Sequence, residues 1–301
     1  MRRHVLALSL ATLCLAACSP GPEPARGGTP VVGVSLLTQT HAFFKDLEDG
    51  LREVAGKRGL DLVIVACVMD PAKQAALIVD FVAQRVAAIL LAPCDSNAVA
   101  PHLSGPERAG IPVFTADIAA HGGKVVSHVA SDNVQGGRLA AQALAKYIGD
   151  RGDVLIIDHP VVASVQDRVR GFEDEMQKHP GIRIVGKPSG DGQRARAMAV
   201  MEDMLQAHPA LKGVFGINDD SALGATAVLE AAGRRDIAVI GYDASDEAQR
   251  AIESGGPLKA DVVQNPRQIG ATAIAMIARH LAGEPVPAVV PIDVGLWTKG
   301  S

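Results

Sequence analysis

The chain has 301 residues, 48% of them hydrophobic and only 3% aromatic, with 29 Lys and Arg against 33 Asp and Glu for a formal charge of −4. A weakly acidic chain without a basic block excludes an electrostatic hold on nucleic acid or on an anionic membrane surface. The length allows one large domain or two of ordinary size.

Arg2 and Arg3 precede an apolar stretch from Val5 that ends in Leu15-Ala16-Ala17-Cys18. A basic start, a short apolar run and small residues before a cut predict a secretory signal over residues 1–17. The run falls short of the ~20 residues that a spanning helix needs. Cysteine directly after the small pair resembles the lipobox of bacterial lipoproteins, which implies that Cys18 is lipidated and becomes the N-terminus. An ordinary secretory signal with a chance cysteine is the plainer alternative. Loss of residues 1–17 removes two basic side chains and leaves a net charge of −6. Residues 18–29, rich in Pro and Gly, read as a flexible stalk. The expected location is extracytoplasmic, in the periplasm or on the cell surface, with contact to the membrane through the lipid alone. Intracellular nucleotide cofactors are poor candidates there, and no cofactor is expected.

From Pro30 onward two periodicities alternate. Short β-branched runs stand at Val31–Val34, Leu62–Val65, Ala88–Leu91, Pro112–Thr115 and Val125–Val129. The series continues at Val154–Ile157, Ile182–Val185, Val214–Ile217, Ile237–Ile240 and Ala260–Val263. Between them lie helical stripes such as Phe44, Leu47, Leu51 and Val54, or Leu139, Ala143, Leu144 and Ile148. Gly33, Gly59, Gly110, Gly152 and Gly241 flank the runs as turn residues. Strands apolar throughout, each followed by a crossover helix, predict α/β architecture with parallel sheets covered on both faces. Ten strands suit two doubly wound lobes better than one sheet. Cys67 and Cys94 each follow an apolar run; an exported compartment permits a disulfide between them, and two buried thiols fit the spacing equally well.

Ligands of such sheets bind at the carboxyl ends of strands. The residues there are His41, Phe43, Phe44, Asp95, Asp117, Asp158, His159, Asn218, Asp219, Asp220, Tyr242, Asp243, Gln264 and Asn265. Carboxylates and amide oxygens accept from hydroxyls, amide groups donate, and ring faces pack on C–H patches, so this lining suits an uncharged polyhydroxylated ligand. Helix capping explains any one of these Asp or Asn residues as well, and is the favoured role for Asp220 and Asp246. Phe43 and Phe44 are adjacent on one helix, so at least one should look toward the strand ends. Phe81, Phe114 and Phe215 fit the core.

Signals for catalysis are weak. The chain has no G-x-G-x-x-G after a strand, no phosphate-binding G-x-x-x-x-G-K-[ST] and no G-x-S-x-G. Asp117, Asp158 and Asp243 could pair as acid and base in a glycosidase-like site, but nothing in the sequence fixes their separation. A metal site built from His41, His159 and these aspartates is weaker still, because no two histidines stand at i+3 or i+4; none is expected.

Specific stretches carry a resemblance. They are Ser131-Asp132-Asn133-Val134-Gln135-Gly136-Gly137 within residues 125–137, Gly216-Ile217-Asn218-Asp219-Asp220-Ser221-Ala222-Leu223-Gly224 within 214–225, Gly241-Tyr242-Asp243, and Gln264-Asn265-Pro266-Arg267-Gln268-Ile269-Gly270. From about Val31 to Trp297 the chain resembles the periplasmic sugar-binding proteins of ABC importers, of the ribose-binding type. Sugar-responsive repressors share that fold, but they carry a DNA-binding helix-turn-helix where this chain has a lipobox and stalk. The resemblance implies two lobes crossed three times, residues 30–131 with 265–291 and residues 132–264 with 292–301. It places ligand contacts at Phe43 and Phe44 as stacking rings, Asp117 as hydroxyl acceptor, Asn218, Asp243 and Gln264 as polar contacts, Tyr242 where a stacking Phe is usual, and His41 and Gln166 at two further contact positions.

The departures matter equally. The family's arginine after the cleft aspartate is here Ile118, and its second-lobe arginine aligns with Gln166, although Arg168 is retained. A further stacking Phe aligns near Gly192, and an Asn before the paired Phe becomes His41. Neither Ile nor Gln reproduces a guanidinium fork. The expected function is capture of a small neutral sugar, a monosaccharide or polyol, by hinge closure in a monomer, for delivery to an ABC permease and its ATPase. The alternatives are a sugar-sensing subunit for a chemoreceptor or sensor kinase, and a carbohydrate-active hydrolase.

Overall fold

The computed structural model describes residues 28–301; the signal segment, Cys18 and most of the stalk lie outside the described residues. Two six-stranded sheets form. The first contains β1 (Val31–Leu36), β2 (Asp61–Ala66), β3 (Ala88–Leu91), β4 (Val113–Ala116), β5 (Ser127–Ser131) and β11 (Val289–Ile292). The second contains β6 (Gly152–Ile157), β7 (Ile182–Gly186), β8 (Leu211–Gly216), β9 (Ala238–Asp243), β10 (Leu258–Val263) and β12 (Gly295–Thr298). Their spatial orders, β11-β5-β4-β3-β1-β2 and β12-β10-β9-β8-β6-β7, are the same wiring repeated. Each is doubly wound with its order reversing beside the first strand, the place where α/β sheets bind ligands.

All ten expected strands form, and the two at the C-terminal end are additional. β11 pairs parallel with β5, whereas β12 runs antiparallel to β10, so the second sheet is mixed at its edge. Gly33 and Gly241 lie inside strands rather than in turns. Their missing side chains make room for the ring of Phe81 and the carboxylate of Asp261.

The chain leaves the first sheet after β5, returns after β10, and leaves again at Asp293–Val294. Helices α1 (Ala42–Arg58), α2 (Pro71–Ala83), α3 (Ser104–Arg108) and α9 (Pro266–Leu281) accompany the first sheet. Helices α4 (Asn133–Ile148), α5 (Ala163–Met176), α6 (Arg194–Ala207), α7 (Asp219–Ala231) and α8 (Asp246–Ser254) accompany the second. In α1 the stripe of Phe44, Leu47 and Leu51 is buried, and Gly59 ends the helix in a left-handed conformation at φ 63°. Phe81, Phe114 and Phe215 are core residues, each at most 1% exposed.

Close helix crossings stiffen both lobes. In α4 and α5, a Cβ added at Gly137 would collide with the carbonyl of Arg168, and one at Gly171 with the carbonyl of Val134. In α1 and α9, Gly50 and Gly270 stand in the same reciprocal relation to Arg267 and Leu47. Backbone therefore packs on backbone, and a side chain at these positions would force the helices apart.

Cys67 and Cys94 form a disulfide with Cα atoms 6.7 Å apart. It joins the loops after β2 and β3, strands that flank β1, and so ties one rim of the first lobe across the end of that strand. Among the described residues no helix is long and apolar enough to cross a membrane.

Candidate functional site

The carboxyl ends of both sheets face one another across a shared cleft. The first lobe contributes Leu37, His41, Phe43, Phe44, Met69, Asp117 and Ile118. The second contributes His159, Val162, Ser164, Val165, Arg168, Gly192, Ile217, Asn218 and Asp243, with Gln264 where the chain crosses back. Of the nine expected ligand contacts, His41, Phe43, Phe44, Asp117, Asn218, Asp243 and Gln264 therefore line one cavity.

Each is positioned by a strand end or a helix start. Phe43 and Phe44 open α1 with ring centroids 5.2 Å apart, edge to face, and both rings are buried against the cleft. Asn218 caps α7, its Oδ1 accepting the Ser221 N–H at 2.9 Å while its Nδ2 donates to the Gly192 carbonyl at 3.0 Å. Capping and cavity lining are thus the same residue's work here. Asp220, expected as a cap, instead meets His41 across the cleft mouth with Oδ2 3.2 Å from Nε2, and also accepts from Arg194 Nε at 3.0 Å.

Asp117 follows β4 with φ 65°, a left-handed conformation that turns its carboxylate inward. Burial raises its pKa to about 6, with the nearby Arg168 pulling the other way. Asp243, at the end of β9, is raised as well, first by burial and then by the negative charge of Asp219. Its Oδ1 accepts from Gln264 Nε2 at 2.6 Å. Asp117 Oδ1 and Gln264 Oε1 are buried acceptors with no protein donor. Burial pushes His41 and His159 below the ordinary histidine pKa, so both favour the neutral imidazole.

Two expected contacts lie elsewhere. Tyr242 is completely buried, its hydroxyl against Gly136 of α4 and donating to Asn133 Oδ1 at 3.3 Å. Successive strand residues point to opposite faces, and residue 242 faces the helix layer. Gln166 donates to the Pro160 carbonyl at 2.8 Å and does not reach the cavity. Val165 and Arg168 occupy the inward side of α5, and a residue two places from an inward one points away. Asp158 also turns aside, accepting the His159 N–H at 2.7 Å, so Asp117, Asp158 and Asp243 do not gather as an acid and base set.

Arg168 also lines the cleft and stands at none of the strand ends. Its Nε donates to Asn133 Oδ1 and its Nη1 to the Ile217 carbonyl, both at 2.8 Å, and its Cζ lies 3.9 Å from the centroid of the Tyr242 ring. Tyr242 thus serves as a platform for the cation. The signal was present: Val165, Arg168, Val169 and Phe172 form one buried helical stripe with a charge in it. Met69, unforeseen in the sequence, reaches the cleft from the loop after Cys67, where Val68 and Met69 have φ of 57° and 58°. Its Sδ accepts from Gln193 Nε2 of the other lobe at 3.3 Å. Ser96 adds two contacts between the lobes, donating its N–H to the Val161 carbonyl at 3.0 Å and accepting the Ala163 N–H at its Oγ at 2.9 Å.

Residues 32–285 match the family model of the periplasmic binding protein domain. The ribose import binding protein RbsB of Escherichia coli is 35% identical over 269 residues, 89% of this chain and 90% of the relative. A solved ABC transporter solute-binding protein from Mycobacterium smegmatis with bound glycerol has a TM-score of 0.86 and 35% identity over 90% of this chain and 95% of its own. Another, from Actinobacillus succinogenes with bound D-allose, has a TM-score of 0.83 and 28% identity over 90% and 98%.

Proposed function

The chain belongs to the periplasmic binding protein family, and from that premise we propose that it is the extracytoplasmic solute-binding component of an ABC importer, taking a small neutral sugar or polyol. The observation that carries the ligand class is the pair of orphan acceptors, Asp117 Oδ1 and Gln264 Oε1, on opposite sides of one buried cleft. Buried acceptors without donors cost free energy, and a molecule rich in hydroxyls supplies donors to both. Arg168 already opposes the charge of Asp117, so the ligand need not be a cation. Phe43 and Phe44 offer ring faces to its C–H groups. Relatives named for ribose and solved with glycerol or D-allose support the same class.

The mechanism is hinge closure. The lobes touch through His41 and Asp220, Met69 and Gln193, and Ser96 with Val161 and Ala163. A ligand that binds one lobe and satisfies acceptors on both makes closure favourable. The permease with its ATPase then reads the closed shape of a monomer. Calorimetry on the purified body, after mass spectrometry of any ligand retained through unfolding, tests this reading. An intact sugar or polyol and its saturable binding are expected; recovery of a chemically converted product would overturn it.

Anchoring at Cys18 belongs to the same proposal and rests on the Leu15-Ala16-Ala17-Cys18 sequence. Cys18→Ala should release the protein from membranes, and persistence of the variant in washed membranes would refute the anchor.

A further inference from the structure

Behind Asp243, away from the cleft, two more carboxyl groups are buried side by side. Asp261 lies wholly inside on β10, cross-strand to Gly241, and Asp219 is the first residue of α7, 7% exposed. Asp261 Oδ1 accepts the Ala244 N–H at 3.0 Å, and Asp219 Oδ2 accepts the Ser245 N–H at 2.8 Å. The remaining oxygens, Asp261 Oδ2 and Asp219 Oδ1, are buried and meet no donor from backbone or other side chains. The two carboxyl groups are within hydrogen-bonding reach of each other.

The other charges acting on the pair, Asp220 and Asp243, are both negative. Two carboxylates in a dry interior cannot both be ionised. One shared proton turns the repulsion into an O–H···O bond and satisfies both remaining oxygens. Burial favours that proton on both groups.

The backbone held by these carboxyls is unusual. Asp243 has φ 123° and Ala244 φ 55°, conformations that L side chains rarely adopt. Residue 243 turns in this way at the end of β9, and its carboxyl group enters the cleft. Such a backbone persists only where its surroundings over-determine it, and two consecutive amides gripped by two buried carboxyls do so. Gly241 completes the arrangement, because a side chain there would occupy the place of Asp261 Oδ2.

We propose that Asp261, joined to Asp219 through one shared proton, is the positioning residue that clamps residues 243–245 and so keeps the Asp243 carboxyl in the cleft. The proposal rests on the reading of Asp243 as a ligand contact. It makes Asp261 necessary for recognition without any contact to the ligand.

The test uses Asp261→Ala and Asp261→Asn in the whole extracytoplasmic body. Hydrogen exchange by NMR at Ala244 and Ser245 needs no ligand. Asp261→Ala should speed exchange there by about 100-fold while the amides of β8 keep their protection. With D-ribose, D-allose, xylitol and glycerol as probes, the same variant should weaken whichever bind by about tenfold or more. Asp261→Asn should restore both readouts, since its amide donates to Asp219 and its oxygen accepts from Ala244. Native exchange at 244 and 245 in Asp261→Ala overturns the clamp. Should that variant not fold, Asp261→Asn and Asp219→Asn decide, and a loss of affinity beyond tenfold in either overturns the shared proton. Failure of every probe with the wild type would count against the ligand class instead, and the exchange measurement would still decide the clamp.

Discussion

Arg168 of the second lobe brings its Nη2 to 4.0 Å from Asp117 Oδ1 of the first, and both side chains are almost completely buried. A charge on one lobe is therefore balanced by a charge on the other. Arg168→Ala removes that balance, leaves the Ile217 carbonyl without its donor and leaves Asn133 Oδ1 with the Tyr242 hydroxyl alone. Breaking a buried pair from one side costs about 3–5 kcal/mol. Chemical denaturation should show a loss of that order, and calorimetry no binding. Arg168→Lys should recover part of the stability but little affinity, because an ammonium lacks the guanidinium fork.

Asp117, raised from 3.8 to about 6 by burial, contributes a pH dependence of stability opposite in sign to that of His128, which burial lowers from 6.5 to about 4. Between its two values Asp117 of the folded protein holds a proton that the unfolded chain has already released. The Asp117 contribution to stability therefore falls as pH rises from about 4 through 6, reaching a cost of about 3 kcal/mol above that window. Asp117→Asn carries no charge to desolvate. Its melting temperature should exceed that of the wild type at pH 8 and match it at pH 3.5. Its affinity should drop by about ten- to a hundredfold with the loss of a charged acceptor. A stability difference between Asp117→Asn and the wild type that stays flat from pH 4 to 8 would contradict this assignment.

Ribose should not be the best ligand. Ile118 is 2% exposed and lines the cleft directly after Asp117, so a hydroxyl facing it would be desolvated without a partner, at about 1–3 kcal/mol. His41 is already engaged with Asp220, and Gln166 points elsewhere. In a thermal-shift screen, deoxy sugars and short polyols should stabilise the protein more than ribose does. A largest shift and sub-micromolar affinity with ribose would refute the role given to Ile118.

Reduction should loosen the cleft rim. The Cys67–Cys94 bridge spans 27 residues, for which loop entropy suggests about 3–4 kcal/mol. A Cys67→Ser, Cys94→Ser double variant should unfold at correspondingly lower denaturant. Its ligand affinity should fall as well, because the loop that follows Cys67 carries Met69 into the cleft. An unchanged unfolding midpoint under reducing conditions would count against the bridge.

Much of this architecture is legible in the sequence because parallel strands buried on both faces are apolar without interruption. The runs at Val154–Ile157 and Val214–Ile217 need no context to be recognised. The edge strands escape that logic: Pro291 interrupts β11, and β12 has only Leu296 and Trp297 as large apolar residues. The strand-end rule finds Asp117, Asn218, Asp243 and Gln264 because chain direction alone brings strand ends together. It does not find Arg168, which comes from inside a helix, and it overreaches at Tyr242, one residue short of the strand end and facing the other way. Resemblance by alignment similarly favoured Gln166, two positions from the residue that helical geometry turns inward.

Gly137 never touches the cleft, yet its absent side chain lets the carbonyl of Arg168 rest on α4. The depth to which Arg168 enters the cavity is thus set by the thickness of one helix crossing. A methyl group at 137 or 171 would act as a shim, lifting α5 and withdrawing the guanidinium from Asp117. Natural or engineered variation at these two glycines can therefore retune what the protein captures while every ligand contact keeps its identity.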